Sequence, residues 1–295
     1  MSHLRKHSML RSAICALAVL TPEAFGSTMV SYPGFANTSG LTFVGNAGTA
    51  KTSDGTVLRL TPAAIFQSSA AYSTSPIELG TDATFSTQFR FRFTGAGGVE
   101  PADGMTFVLA ASPTGLGATG GALAYQNVDN SVAIEFDTFG NGSTDGNSSN
   151  HIAIDTGGRL DVLGLTNVYG IPNCTFSNST PHTASGCMSN GDLWTANVSY
   201  DGSKLSVNVL DPARGVTFTG ISDYPINVAS QLGTNTAYVG FTGSTGGGYE
   251  NQDVVNWRFV STSTLPIAVP EPASLFLLAG SLLPLASIYR RSRRL

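Results

Sequence analysis

The sequence predicts an all-β protein built as an antiparallel jelly-roll β-sandwich, and three observations carry that expectation. From Phe35 onward, short β-rich runs such as L-T-F-V-G, T-V-L-R-L-T and G-M-T-F-V-L-A alternate with turns of Gly, Asn, Asp and Ser. Within the run from Phe85 to Phe93, Phe85, Phe89, Phe91 and Phe93 share one parity while Ser86, Gln88, Arg90 and Arg92 take the other, as in a strand with one face buried. No long helical periodicity interrupts the runs, so nothing supplies the crossover helices of a parallel sheet.

Taken in order, the chain divides into 1–26, 27–263 and 264–295. The first segment carries Arg5, Lys6 and Arg11 ahead of the apolar run Ala13 to Leu20. Ala24 and Gly26 follow as small residues before Ser27, the layout of a secretory signal peptide. Cys15 leaves with that signal, so the mature chain keeps Cys174 and Cys187, an even pair in an oxidising compartment and an expected disulfide. Closing that loop is worth about 3 kcal/mol in the chain-entropy account. No C-x-x-C spacing offers the pair to zinc. The last segment runs V-P-E-P at Val269 to Pro272, an apolar stretch Ala273 to Ile288, then Y-R-R-S-R-R, a pattern of membrane helix with a basic cytoplasmic end.

The middle segment is acidic. Setting aside the seven basic residues of the two ends, with Glu23 and Glu271, 8 Lys+Arg and 17 Asp+Glu remain from 27 to 263, a net of −9. Such a surface repels nucleic acid and anionic lipid. Later runs, L-W-T-A-N-V-S-Y-D, K-L-S-V-N-V-L, A-Y-V-G-F-T and V-V-N-W-R-F-V, continue the strand pattern, and Asp201-Gly202 between the first two signals a hairpin.

The chemistry concentrates in Ser131 to Thr156, S-V-A-I-E-F-D-T-F-G-N-G-S-T-D-G-N-S-S-N-H-I-A-I-D-T. If V-A-I-E-F-D is a strand, Glu135 and Asp137 project from one face while Ile134 and Phe136 pack on the other. Asn141 and Asp145 lie in the following loop, and His151 opens the next strand. Three carboxylates, an amide and an imidazole converging on a small volume are a metal-binding set.

Two resemblances follow from these residues. The tail, with Pro-Glu-Pro, apolar stretch and basic end, resembles the PEP-CTERM sorting signal. That implies processing by an exosortase, transient anchoring in the inner membrane, and export to the surface, outer envelope or matrix of a Gram-negative bacterium. The middle segment resembles the legume-type (L-type) lectins, with the concanavalin A-like lectin fold. The resemblance rests on five pieces in sequence order: L-T-F-V-G-N-A with T-V-L-R-L-T and A-A-Y-S-T-S-P-I-E-L; F-S-T-Q-F-R-F-R-F; A-D-G-M-T-F-V-L-A; V-A-I-E-F-D-T-F-G-N with Asp145 and H-I-A-I-D; and F-T-G-S-T-G-G-G-Y-E-N-Q-D-V-V-N-W-R-F.

The lectin resemblance implies two metals. Glu135, Asp137, Asp145 and His151 would hold a transition ion, usually Mn2+, and Asp137, Asp145, the Asn141 side chain and the Phe139 carbonyl would hold Ca2+. It implies a sugar pocket in which Asp103, after a cis Ala102-Asp103 peptide, accepts hydroxyl hydrogen bonds and Asn141 serves both calcium and sugar. Gly120 or Gly121 would donate a backbone N–H, and the Phe139 ring would stack on the sugar. Gly247 and Gly248, in a Gly246 to Gly248 triplet where relatives often carry side chains, would offer only backbone. The expected partner is a glycan or exopolysaccharide, and a homodimer through the back sheet is one assembly such a domain can adopt. The segment around Cys174 and Cys187 reads as an insertion, a stapled loop in preference to a lid.

Two other functions compete with this expectation. A jelly-roll glycoside hydrolase needs two carboxyl groups about 5 to 5.5 Å apart, commonly E-x-D-x-x-E; here E-F-D is followed by T-F-G-N, and no G-x-S-x-G elbow supports a serine nucleophile. The expectation is therefore of a binder without turnover. A structural matrix protein with a metal-stabilised but silent lectin fold would not need Asp103 or Asn141, although A-D-G alone is also an ordinary turn.

Overall fold

The computed structural model describes residues 29–79, 84–174 and 184–261. The expected signal peptide with Cys15, and the expected sorting tail, lie outside the described residues. Sixteen strands form two antiparallel sheets among those residues. The back sheet runs β14 (Thr217–Pro225), β13 (Lys204–Leu210), β12 (Trp194–Tyr200), β7 (Phe85–Gly98), β16 (Gly248–Ser261), β4 (Gly55–Thr61) and β3 (Gly48–Thr52), with β1 (Met29–Tyr32) also pairing β16. The front sheet runs β11 (Arg159–Asn167), β10 (His151–Thr156), β9 (Ser131–Asp137), β8 (Gly104–Ala110), β15 (Thr236–Ser244), β5 (Ser68–Ser73) and β2 (Leu41–Gly45), with β6 (Ile77–Glu78) on β15. The one α-helix among the described residues is the short Val228–Leu232. None is long and apolar enough there to cross a membrane.

Alternation explains the sandwich. Phe85, Phe89, Phe91 and Phe93 of β7 are all buried, and Phe89 packs against Phe107 of β8, Phe136 of β9 and Phe241 of β15 at centroid distances of 5.0 to 6.0 Å. On the opposite face of β7, Arg92 forms a two-pronged ion pair with Asp54 at 2.7 and 2.9 Å. Fully burying a side chain such as Phe is worth about 1.5 to 3 kcal/mol, and this inter-sheet layer holds ten of the twelve largest fully buried side chains. The Asp201-Gly202 hairpin forms: Asp201 Oδ1 accepts the Ser203 and Lys204 N–H groups at 2.8 Å, and Gly202 takes φ 102°.

The front sheet departs from the simple half-buried picture. Every residue of β8, β9 and β10 is buried, because both faces are covered. Beyond the main core, the segment from 111 to 130, with a 3-10 turn at Gly120–Ala122, folds across the outer face. There Leu123, Tyr125 and Val128 make a second, smaller core with Tyr72, Val108, Ala110 and Ala133. Its residues lie in turns and irregular backbone, which carry no periodicity to read in the sequence.

Candidate metal centre and adjoining pocket

Strand register brings the candidate residues together. Asp137, at the end of β9, is paired with His151 on β10 and with Gly104 on β8, while Glu135 is paired with Ala153 and Thr106. Period-two geometry points Glu135 and Asp137 to the face away from Ile134 and Phe136, which lie in the main core. Ligand atoms of Glu135, Asp137 and His151 lie within 4.8 Å of one another, and all three residues are at most 3% exposed.

The histidine is oriented for this task. Its Nδ1 lies 3.2 Å from the Ser148 carbonyl, which can only accept, so Nδ1 carries the proton. Nε2 then presents a lone pair 3.1 Å from Glu135 Oε1, also an acceptor. Burial lowers the His151 pKa and keeps the ring neutral. Two acceptors facing each other, with a third carboxylate beside them, are matched by a cation between them, and an imidazole fixed through its other nitrogen is a common ligand arrangement. The donor set fits a transition ion.

Burial raises the carboxyls of the cluster. Glu135 is pushed up to about 7, and Asp137 well above the usual range, with further push from neighbouring carboxylates. Glu135 also hydrogen-bonds to the Asp155 carboxyl, which burial raises strongly. Asp155 shares parity with His151 on β10, and this was the signal in H-I-A-I-D; as a fully buried carboxyl beside Glu135 it belongs to the site.

Asp145 stands outside the three-residue cluster but is tied to it. Its Oδ2 accepts the Asn141 N–H, and its buried Oδ1 has no hydrogen-bond partner. Phe139, half-buried, donates its N–H to Asp137 Oδ1 at 2.8 Å. The loop from 138 to 150 is thus wound onto the two aspartates, and an oxygen-rich set of Asp137, Asp145, Asn141 and the Phe139 carbonyl suits a hard cation such as calcium.

Asp103 lies on the other side of Asp137. The Ala102–Asp103 peptide is cis. The Asp103 carbonyl accepts the Thr138 N–H at 3.0 Å, and the Asp103 N–H donates to the Ser244 carbonyl at 3.0 Å. The following Gly104, at φ 118°, passes so close to β9 that a Cβ there would sit 2.3 Å from the Phe136 carbonyl oxygen. Asp103 is 3% exposed, its Oδ2 has no partner, and burial raises its carboxyl to about 7.

The remaining pocket residues converge unequally. A Cβ on Gly121 would lie 2.5 Å from Asn141 Oδ1, so the exposed Asn141 amide rests on that glycine. Gly120 spends its N–H on the Thr245 carbonyl at 3.0 Å, which leaves Gly121 as the amide of the pair available to a ligand. A Cβ on Gly246 would lie 3.3 Å from Asp103 Oδ2, so the glycine triplet borders the aspartate. Gly247 is exposed, whereas Gly248 is buried, its Cβ position filled by the Glu100 carbonyl at 2.2 Å.

Two further groups escaped the sequence reading. Glu250 on β16 points inward, fully buried, and its Oε1 accepts from Thr138 Oγ1 at 2.6 Å while Oε2 has no partner. Burial lifts its carboxyl to about 8. Its parity with Gln252 and the core residue Val254 was the available signal. Asn150 was hidden in a polar loop, and it anchors the cysteine segment. Its Nδ2 donates to the Gly186 carbonyl at 2.9 Å and to the Ile171 carbonyl at 3.1 Å, and its Oδ1 accepts the Met188 N–H at 2.9 Å. The Cys174–Cys187 disulfide is formed, with Cα atoms 5.8 Å apart, and the Cys174 N–H donates to Ser149 Oγ at 2.9 Å.

Comparison with known proteins agrees with this layout. The legume lectin domain family matches residues 27–272. Agglutinin-2 of Cladrastis kentukea is 32% identical over 191 residues, 61% of this chain and 58% of that protein, so the chain spans less than two thirds of that relative. Favin of Vicia faba is 30% identical over 198 residues, 64% of this chain and 75% of favin. Among solved structures, the lectin from Bauhinia forficata in complex with GalNAc covers 81% of this chain and 100% of its own, at 26% identity and a TM-score of 0.63. Basic winged bean lectin with Tn-antigen covers 79% and 98% at 23% identity and the same TM-score, a likeness of fold. These relatives are lectins, which bind carbohydrate and do not turn it over. With both sheets, the carboxylate–histidine cluster and the family match over most of its length, the chain belongs to the legume lectin domain family.

Proposed function

We propose that the protein is an exported lectin that binds glycan reversibly through a pocket organised by calcium and a transition ion, manganese in the first instance. Glu135, Asp137, Asp145 and His151 hold the transition ion, and Asp137, Asp145, Asn141 and the Phe139 carbonyl hold calcium. When bound, the two cations neutralise the buried carboxylates and fix the 138–150 loop. Asp103 then accepts from sugar hydroxyls, Asn141 and the Gly121 N–H add polar contacts, Phe139 offers its ring to the sugar's apolar face, and the exposed Gly247 offers backbone. The observation that carries this reading is Asp103: a buried carboxylate with one oxygen unpartnered, bordered by Gly246 and linked through Thr138 to the metal loop.

The glycan is one of the exopolysaccharides or surface glycans of a Gram-negative envelope, which follows from the signal peptide and the exosortase-type tail expected at the two ends. A glycan array probed with calcium and manganese, then with chelator, then with Asp103→Ala, tests the reading. Binding lost in both of the latter supports it. Binding absent throughout, or indifferent to both changes, overturns it, and release of sugar by the purified domain would point to a hydrolase instead.

A further inference from the structure

Beside the glycine triplet lies an apolar rim that neither the metal cluster nor Asp103 uses. Phe66, between β4 and β5, is 62% exposed, and Val99, directly after β7, is 64% exposed. Both are fastened to the triplet by main chain: the Phe66 N–H donates to the Gly246 carbonyl at 3.1 Å, and the Val99 N–H to the Gly247 carbonyl at 3.3 Å. Successive carbonyls of the triplet thus take one residue each, which holds the backbone of both residues beside it. A Cβ on Gly247 would find Val99 Cγ2 as its nearest neighbour at 4.0 Å, while one on Gly246 would find Asp103 Oδ2 at 3.3 Å. The strip from Asp103 across the triplet to Val99 is therefore continuous and carries no side chain in its middle.

Phe66 is also conformationally unusual. It sits at φ 55°, a left-handed region that bulky residues seldom adopt. Its neighbours hold it there: the Gln67 N–H donates to Thr245 Oγ1 at 2.9 Å, and Thr245 Oγ1 donates to the Ala64 carbonyl at 2.6 Å. Singly exposed apolar residues are ordinary on protein surfaces. An exposed phenyl ring and an exposed branched side chain, both fastened by main chain to a bare strip that begins at a buried carboxylate with an unpartnered oxygen, give that strip an apolar margin.

We propose that Phe66 and Val99 form a second subsite, which receives the sugar residue linked to the one held at Asp103, so that the ligand is an oligosaccharide chain. A pyranose ring presents a C–H face that stacks on an aromatic ring, and the side-chain-free triplet lets the glycan pass between the two positions. The proposal rests on the carbohydrate reading of the Asp103 pocket.

The test is an array of free sugars from mono- to tetrasaccharide, with titration of each bound sugar against wild type, Phe66→Ala, Phe66→Trp, Val99→Ser and Asp103→Asn. The expected result is that wild type prefers the longer chains. Phe66→Ala then loses about five- to tenfold in affinity for them while leaving monosaccharide affinity unchanged, and Phe66→Trp retains the preference. Asp103→Asn loses both. Equal wild-type affinity for mono- and tetrasaccharide, or an unaltered length preference in Phe66→Ala and Val99→Ser, overturns the subsite and leaves the primary pocket standing. No binding by wild type to any sugar overturns the primary reading and the subsite with it.

Discussion

Glu250→Gln isolates the cost of one buried carboxyl. Glu250 is enclosed between the sheets, its carboxyl's one hydrogen bond is the one accepted from Thr138 Oγ1, and burial lifts its pKa from 4.5 to about 8. The folded chain therefore keeps this proton up to about pH 8, whereas the unfolded chain releases it near 4.5. Across that window the folded state binds the extra proton, so its stability falls as pH rises and the full penalty is present above pH 8. The displacement is worth up to about 5 kcal/mol, and local relaxation brings the expected penalty to about 2 to 4 kcal/mol. Glutamine matches the shape of the protonated acid, still accepts from Thr138, and cannot ionise. Urea unfolding of wild type and Glu250→Gln from pH 5 to 9, at fixed calcium and manganese, should give stabilities within about 1 kcal/mol of each other at pH 5 and a variant favoured by a further ~2 kcal/mol or more at pH 9. Raised carboxyls that do not interact with Glu250 contribute to the slope of both proteins and cancel in the difference, while Asp103, whose charge pushes the Glu250 carboxyl up, adds to it. Parallel curves would refute the argument.

Three further outcomes are expected. Calcium and manganese at about 100 times their dissociation constants should each stabilise the domain by about 2.7 kcal/mol in a thermal-shift titration, and His151→Gln should abolish the manganese increment while keeping that of calcium. Phe89→Ala should cost about 3 to 5 kcal/mol in urea unfolding, because the ring contacts Phe107, Phe136 and Phe241 across the sandwich; a cost under 1 kcal/mol would contradict the packing described. Replacing both Cys174 and Cys187 with Ser should lower stability by about 3 kcal/mol, with no effect of reducing agent on the variant.

The fold was legible where chemistry repeats along the chain. The parity of Phe85, Phe89, Phe91 and Phe93 is written in the sequence because one face of a strand must be dry, and Glu135, Asp137 and His151 stand out because carboxylates and imidazole in apolar strands have no other use than pairing or ligation. What stayed hidden depends on contacts between distant segments. Glu250 reads as one more polar residue in Y-E-N-Q-D until β16 is seen to turn it inward beneath Thr138. Phe66 stands out in no pattern of the sequence, and its exposure and its φ of 55° belong to the folded chain alone. The second core under the 111–130 segment left no trace, since a loop that lies flat on a sheet buries single residues at irregular spacing.

One rung of the front sheet carries a consequence for quality control. Asp137 is aligned at once with His151 and with Gly104, the neighbour of Asp103, so a slip of one residue in either ladder would turn the aligned carboxylates or the imidazole to the opposite face and replace them with Ile or Phe. On the proposed metal-dependent reading, cation binding at this site would audit the alignment of three strands that follow one another in the chain. On that reading, the molar metal content of a purified sample would count the correctly threaded molecules, and a misaligned chain would be recognisable by its failure to retain the ion.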